Sequence, residues 1–243
     1  MKFLNAVILL IIPLVHGMAI RPYQVGINND PDFEKFLRES IENFRAIMSK
    51  GLPEIGLPVL DPLHETDINF NFNEEMAAVN LKLLEMRVDE LSKFAIENIQ
   101  ADTDMSFHVE VLVFGIPSFG VYNVQGTVAK ILPLWGNGNF SINVTEIDIV
   151  IEGKFISVNN NLQLKNLNLD LRWNDLGITL DNFLGGGDFS KTVQKMLPKL
   201  TKNVFEMYRN DILNYVDSFL LEKINEILRL PGIFDTTKKH HNS

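Results

Sequence analysis

The chain has 243 residues, no cysteine, and 22 Lys and Arg against 31 Asp and Glu, which gives a formal net charge of −9. This acidic balance disfavours nucleic acid and anionic membrane surfaces as partners. The lack of thiols excludes disulfide bonds and sulfur-ligated metal sites. The length suffices for one large domain whose stability depends on apolar burial.

The first 19 residues have the composition of a secretory signal. Lys2 gives a short basic start, residues 3–15 form an apolar run, and residues 17–19 include the small side chains that precede a cleavage site. The apolar run is too short to span a membrane as a helix. We therefore expect residues 1–19 to be removed, which takes the formal charge from −9 to −10 through the loss of Lys2, and the mature protein to be secreted into extracellular fluid.

Residues 30–50 predict a helix. Asp30 suits its N-cap, Pro31 its first turn and Gly51 its end. Apolar residues recur at helical spacing and define one face that can pack on a core. This face consists of Phe33, Phe36, Leu37, Ile41, Phe44, Ile47 and Met48.

Residues 51–63, here called the strap, combine three prolines and two glycines with apolar side chains. The prolines and glycines disfavour regular structure. The apolar side chains between them still require burial, so we expect the strap to lie across the surface of the core.

From residue 67 to residue 173, apolar and polar residues alternate, which indicates antiparallel strands with one buried and one solvated face. We expect part of the buried face to line an apolar interior. These positions are Phe107, Val109, Val111, Tyr122, Val124, Val128, Phe140, Ile142, Val144, Leu169, Leu171 and Trp173.

The alternation changes phase twice. It moves from even to odd numbers after Val144, and again between Leu164 and Leu167. A one-residue slip turns the apolar set outward unless an extra residue is absorbed. We therefore predict β-bulges near residues 145–146 and 165–166, and with them a strongly curved sheet.

Two glycosylation sequons begin at Asn139 and Asn143. Both asparagines alternate with the apolar residues of one predicted strand. The strand phase therefore places both acceptors on its outer face, and we expect a glycoprotein.

The last third of the chain predicts a long helix. After the glycines of residues 185–187, Asp188 or Ser190 can cap a helix that reaches about Arg229 with a kink at Pro198. We expect part of its apolar stripe to face the sheet. These positions are Val204, Tyr208, Ile212, Val216 and Phe219.

A long amphipathic helix and a sheet with one apolar face can bury both surfaces if the sheet wraps around the helix. We therefore predict an α+β fold in which a strongly curved antiparallel sheet wraps the long C-terminal helix and encloses a hydrophobic tunnel, together with a short N-terminal helix. No linker divides the chain, so residues 20–235 form one domain. Residues 236–243 are polar, and we expect a disordered tail.

Several segments resemble the insect haemolymph juvenile-hormone-binding and takeout family. They are the strap at 51–63 (GLPEIGLPVLDPL), 122–128 (YNVQGTV), 132–134 (LPL) and 136–140 (GNGNF). The order of signal, helix, strap, strands and long helix is similar too. The resemblance implies a wrapped-helix fold whose tunnel binds terpenoid hormones or other lipid-like ligands. Most takeout-like members carry a disulfide near the mature N-terminus, whereas this chain has no cysteine, so its ligand need not be juvenile hormone.

The sequence offers no catalytic constellation and no cofactor motif. No Gly-x-Ser-x-Gly elbow is present, and His64 and His108 lie on different predicted segments without metal-ligand spacing. Tyr122, Tyr208, Tyr215 and Trp173 can each either supply a hydrogen-bond donor to a ligand or pack in the core.

We therefore expect a monomeric, non-enzymatic carrier that binds a terpenoid, fatty acid or similar lipid without stable insertion in a membrane. The alternative is an extracellular recognition module that binds a protein partner or a microbial surface lipid through its outer face. A lipid-modifying enzyme is a third hypothesis, and it has no candidate catalytic residues.

Overall fold

A computed structural model describes residues 29–51, 53, 57–74, 77–128, 131–158 and 161–229. The expected signal at 1–19 and the expected tail at 236–243 lie outside this range. The described chain forms an N-terminal helix, six antiparallel strands and a long C-terminal helix, which confirms the predicted fold class. In chain order these are α1 (Pro31–Met48), β1 (Leu63–Glu74), β2 (Ala77–Val88), β3 (Phe94–Ala101), β4 (Ser106–Val128), β5 (Leu132–Val158), β6 (Asn161–Leu180) and α2 (Gly187–Leu228).

Helix α1 begins and ends where the sequence predicts. The Asp30 carboxylate accepts a hydrogen bond from the N–H of Phe33 at 3.0 Å, as an N-cap does. At the other end, the N–H of Gly51 donates to the carbonyl of Ile47 at 2.8 Å, and Gly51 has a left-handed φ of +68°. A side chain at Gly51 would meet the carbonyl oxygen of Leu57 at 2.7 Å, so only glycine fits.

Helix α1 packs on β3. The guanidinium of Arg45 lies 4.1 Å from the ring centre of Phe94, and its Nη1 donates to the carbonyl of Phe94 at 2.8 Å. The apolar face of α1 is buried over five of its predicted positions, Phe33, Leu37, Ile41, Phe44 and Met48.

The strap ends in a fixed contact with the turn between β2 and β3. Leu57 and Leu60 are buried. The carboxylate of Asp61 accepts hydrogen bonds from the N–H groups of Glu90 and Ser92, both at 2.9 Å, and from the hydroxyl of Ser92. One acidic side chain therefore joins the strap to the sheet.

The strands form one sheet in the order β1-β2-β4-β5-β6. Strand β3 pairs with the first part of β4, residues 107–113, and β2 pairs with the second part, residues 118–128. Long strands β4 and β5 pair over almost their whole length. We call the face that carries the buried residues the inner face and the opposite one the outer face.

The first predicted phase change is shared by three strands. Two successive inner-face rows are Val113–Ile147–Trp173 and Ile116–Val144–Leu176. Pairing stays in register between these rows on both sides of β5, although Glu146 has a left-handed φ of +49°. The predicted bulge near residues 145–146 is therefore wrong. The phase change itself is present, but β4, β5 and β6 change phase together and no strand gains a residue over its neighbour.

The second predicted bulge is confirmed. Lys154 pairs with Asn166, but the next residue, Phe155, pairs with Leu164. Lys165 is the extra residue, and it keeps leucines on the inner face on either side of it.

Helix α2 has 42 residues and continues through Pro198. At about 1.5 Å per residue it is roughly 60 Å long. Among the described residues, no helix is both long and apolar enough to cross a membrane.

Candidate functional site

Helix α2 binds the free edge of β6 through its side chains. The amide of Gln194 accepts from the N–H of Leu180 at 2.8 Å and donates to its carbonyl at 3.1 Å. The amide of Asn225 makes the same pair of bonds with Leu164, both at 2.9 Å. These amides replace the hydrogen bonds that a further strand would have made.

Charged side chains of α2 bind β6 between those two amides. Asp217 accepts from the N–H of Leu169 at 2.9 Å. Arg209 donates to the carbonyl of Leu171 at 2.7 Å and also contacts the Asp170 carboxylate. Burial raises the pKa of the Asp217 carboxyl to about 6, against the opposing effect of its hydrogen bond from Leu169.

With Lys202, which donates to the carbonyl of Trp173 at 3.2 Å, these side chains recur every seven or eight residues along α2. We call them the docking set. Its members are Gln194, Lys202, Arg209, Asp217 and Asn225. The apolar stripe visible in the sequence does not include this set, although its polar residues recur at a regular spacing within the helix.

A row of apolar residues four positions apart runs along α2 beside the docking set. We call it the apolar row. It consists of Leu200, Val204, Tyr208, Ile212, Val216, Leu220, Ile224 and Leu228. Tyr208, Val216 and Ile224 each come directly before a member of the docking set. Each of these three residues is therefore turned by about 100° from a side chain that contacts β6, so the row stays on one side of β6 from Tyr208 to Ile224.

The row is buried at one end and open at the other. Leu220, Ile224 and Leu228 are at most 3% exposed and belong to the same core as Leu164 and Leu167 of the inner face. By contrast, its first four residues are 40–55% exposed. Leu200 and Val204 each lie two residues from Lys202, about 200° around the helix, and therefore point away from β6. Tyr208 and Ile212 are thus the open apolar residues of the row on the side of its buried end.

The residues that the sequence singled out on the sheet divide by burial. Six are buried: Phe107, Val109, Tyr122, Val124, Phe140 and Leu169. Five are partly buried against that core: Val111, Ile142, Val144, Leu171 and Trp173. The side chain of Val128 lies outside the described part of the chain. The partly buried group is the one that retains surface for a ligand.

The residues that the sequence singled out on α2 divide in the same way. Val216 and Phe219 are partly buried, whereas Val204, Tyr208 and Ile212 are exposed. Phe205 also meets the sheet, because its ring lies edge-on to Trp173 with 4.6 Å between ring centres. This contact closes one part of the space between α2 and β6.

The four candidate hydrogen-bond donors are not equivalent. The buried Tyr122 hydroxyl donates to the carbonyl of Asp181 at 2.7 Å, and burial raises its pKa, with a smaller effect from the Asp181 charge. A side chain at Gly136 would lie 2.6 Å from that hydroxyl, so glycine is required there. Within the described chain, the hydroxyls of Tyr208 and Tyr215 make no hydrogen bond. They remain available to a ligand.

On the outer face, His108 lies between two carboxylates. Its Nε2 is 2.8 Å from Glu110 and its Nδ1 is 3.0 Å from Glu152. The hydrogen bond to Glu110, assisted by that to Glu152, raises the His108 pKa above its usual value despite partial burial. No group of three or more potential ligands is placed to hold a metal ion in the part of the chain that the structure describes.

A long C-terminal helix that docks along the edge of a six-stranded antiparallel sheet, with a short helix at the N-terminal end, defines an α+β fold. The model of the haemolymph juvenile hormone binding protein (JHBP) family matches residues 8–230, so the chain belongs to that family. This is a family of binding proteins and not of enzymes. No curated protein matches the chain.

Solved structures agree with the fold. The crystal structure of Takeout 1 from Epiphyas postvittana is similar with a TM-score of 0.55 and 20% identity, over 78% of this chain and 91% of that one. A crystal structure of lipopolysaccharide binding protein is matched with a TM-score of 0.35 and 12% identity, over 83% of this chain and 38% of that one. The first likeness supports the fold, and the second is too low to carry an argument.

Proposed function

We propose that the protein is a secreted, non-enzymatic carrier that holds a hydrophobic small molecule between the apolar row of α2 and the inner face of the sheet. The observation that carries the proposal is the change in burial along the row. Leu220, Ile224 and Leu228 are at most 3% exposed, whereas Tyr208 and Ile212, on the same side of β6, are 50% and 40% exposed. A ligand against Tyr208 and Ile212 would extend the burial of this side of the helix.

We expect a terpenoid, a fatty acid or a similar lipid to bind between Tyr208, Ile212 and the partly buried residues of the inner face. Such a ligand buries roughly 300–400 Å² of apolar area, which contributes about 8–10 kcal/mol. Immobilising it costs at least about 4 kcal/mol. The difference corresponds to dissociation constants from the millimolar to the micromolar range through apolar contact alone. Tighter binding requires a polar contact, and Tyr208 offers a hydroxyl without a partner.

The extracellular setting is supported by the signal-like first 19 residues and by membership of a family named for haemolymph proteins. Expression through a eukaryotic secretory route, followed by native mass spectrometry and solvent extraction, tests the whole proposal. A co-purifying lipid is the expected result. A secreted protein that neither carries nor binds any terpenoid or fatty acid would contradict the proposal.

Two substitutions locate the ligand. Ile212→Glu places a carboxylate on the open row, and we expect at least a tenfold loss of affinity for a fluorescent fatty acid, because the charge would be desolvated by the ligand. Met207→Glu is the matched control, since Met207 is 74% exposed and lies beside the row and not in it. Equal losses in the two variants would place the ligand elsewhere.

A further inference from the structure

The outer face carries a cleft of about 460 Å³ that the carrier function does not use. It lies where β2, β4, β5 and the end of β6 pass side by side. Its lining includes Phe119, Val121, Asn139, Ser141, Thr179 and Asp181. An exposed aromatic ring among amide, hydroxyl and carboxylate groups is a surface suited to a sugar, and the volume lies within the ~300–1,000 Å³ range of small-molecule sites.

Asn139, the acceptor of the first sequon, is itself part of the cleft wall. In the β4–β5 register Asn139 pairs with Val121, and Ser141 pairs with Phe119. Cross-strand neighbours on one face have Cβ atoms about 4.5–5.5 Å apart, and diagonal neighbours about 7–8 Å. A group attached to Asn139 therefore starts beside Val121 and within reach of Phe119, which are 37% and 44% exposed.

The side-chain amide of Asn139 has the chemistry that attachment needs. Its Nδ2 donates to the Asp181 carboxylate at 3.0 Å, which uses one of its two hydrogens. In glycosylation this nitrogen bonds to C1 of N-acetylglucosamine in a polyprenyl-diphosphate-linked oligosaccharide. The C1–O bond breaks with its electrons going to the departing diphosphate, and the nitrogen releases one proton. The other hydrogen remains, so the bond to Asp181 survives and orients the linkage.

We propose that Asn139 carries an N-linked glycan whose first N-acetylglucosamine units lie in this cleft against Phe119. The apolar face of the sugar ring covers the exposed aromatic ring, while Ser141, Thr179 and Asp181 offer polar partners to the sugar hydroxyls and acetamido group. The glycan thereby shields an apolar patch that the fold leaves open to solvent.

The second sequon provides an internal comparison. Asn143 is exposed on the same strand, but its neighbours across β4 and β6 are Pro117 and Gly177, and it is not part of the cleft. Phe119 is a diagonal neighbour of both asparagines, so the two sites differ in that only Asn139 lines the cleft. We therefore expect removal of a sugar at Asn143 to have the smaller effect.

The experiment uses the full chain secreted from eukaryotic cells. Peptide mass spectrometry after glycosidase treatment reports occupancy, and Tm is measured for wild type, Ser141→Ala and Thr145→Ala, each with and without Phe119→Ala. Ser141→Ala removes the first sequon and leaves the Asn139 amide in place, and Thr145→Ala removes the second. We expect occupancy at Asn139 and a Tm loss of about 2–4 °C for Ser141→Ala, which disappears in the Phe119→Ala background.

An unmodified Asn139, or a loss that is equal with and without Phe119, overturns the proposal. Should Ser141→Ala fail to be secreted, enzymatic removal of the glycan from folded wild type and from Phe119→Ala gives the same comparison without altering the sequon. Ligand binding plays no part in any of these readings, so the result is independent of the carrier function.

Discussion

At the scale of single residues, Asp61 joins the irregular strap to the sheet. Its carboxylate holds the N–H groups of Glu90 and Ser92, and through them the turn between β2 and β3. The proline-rich composition of the strap predicts its path across the core. It contains nothing that predicts which distant N–H groups Asp61 binds, because those partners are some 30 residues away in sequence.

We expect Asp61→Ala to lower the free energy of unfolding by about 1–3 kcal/mol, because two partly buried N–H groups lose their acceptor. Urea denaturation followed by circular dichroism measures this. Asp148→Ala is the control, since Asp148 is exposed on β5, and it should change stability by less than about 0.5 kcal/mol. Similar values for the two variants would contradict the role assigned to Asp61.

Asp217 gives the docking set a dependence on pH. Its pKa in the folded protein, about 6, lies above the ordinary 3.8. The stabilising effect of its protonated form is therefore fully present below pH 3.8 and is lost as pH rises through 6. We expect Asp217→Asn, which keeps the acceptor for Leu169, to flatten this part of the stability profile.

The measurement is the free energy of unfolding of wild type and Asp217→Asn at intervals from about pH 4 to about pH 8. The gain in stability of the variant over wild type should grow from about pH 4 to about pH 6 and then stay constant. A constant difference would mean that the carboxyl titrates at its ordinary pKa.

At the scale of elements, the sequence predicts much of the structure because burial leaves periodic marks. The α1 face, the alternation along the strands and the slip at Lys165 are each visible as apolar spacing. The shared phase change at Glu146 is not, because alternation within one strand cannot report that two neighbours shift in step. The contacts of the docking set cannot be predicted from the sequence for a related reason. Its side chains bind backbone groups, which every residue of β6 carries, so no particular residue type in β6 marks the partner.

The docking set also predicts what holds α2 in place. We expect Asn225→Ala to destabilise the protein by about 1–3 kcal/mol, because both backbone groups of Leu164 lose their partner. Asn210→Ala is the matched control, as Asn210 is exposed on the same helix and makes no hydrogen bond within the described chain. Guanidinium denaturation of the two variants gives the comparison, and equal effects would indicate that Asn225 merely occupies the interface.

At the scale of the whole molecule, both ends of α2 pack on the core and its middle is more exposed. Val193 and Leu197 pack on the core at the start of the helix and Leu220, Ile224 and Leu228 at its end, whereas the middle leaves apolar residues exposed. The sequence predicts that the helix and the sheet meet. It does not predict the different burial of Val204 and Leu220, because a row with four-residue spacing turns around the helix and the docking set decides which part of that turn faces the sheet.

This difference in burial predicts a pattern of hydrogen exchange if the carrier proposal holds. A bound fatty acid should slow amide exchange in residues 200–215 and leave residues 220–228 little changed, because the latter include the buried end of the row. Exchange followed by mass spectrometry, with and without ligand, tests it. Uniform protection along α2 would instead indicate a general gain in stability.

The bonds between α2 and β6 have a consequence for the behaviour of the protein at high concentration. A bare strand edge invites a strand from another molecule, and repeated pairing of that kind leads to fibrils. Here the amides of Gln194 and Asn225 already occupy backbone groups at both ends of β6. We therefore expect the concentrated, ligand-free protein to resist polymerisation through the edge of β6, even though apolar residues of α2 remain exposed.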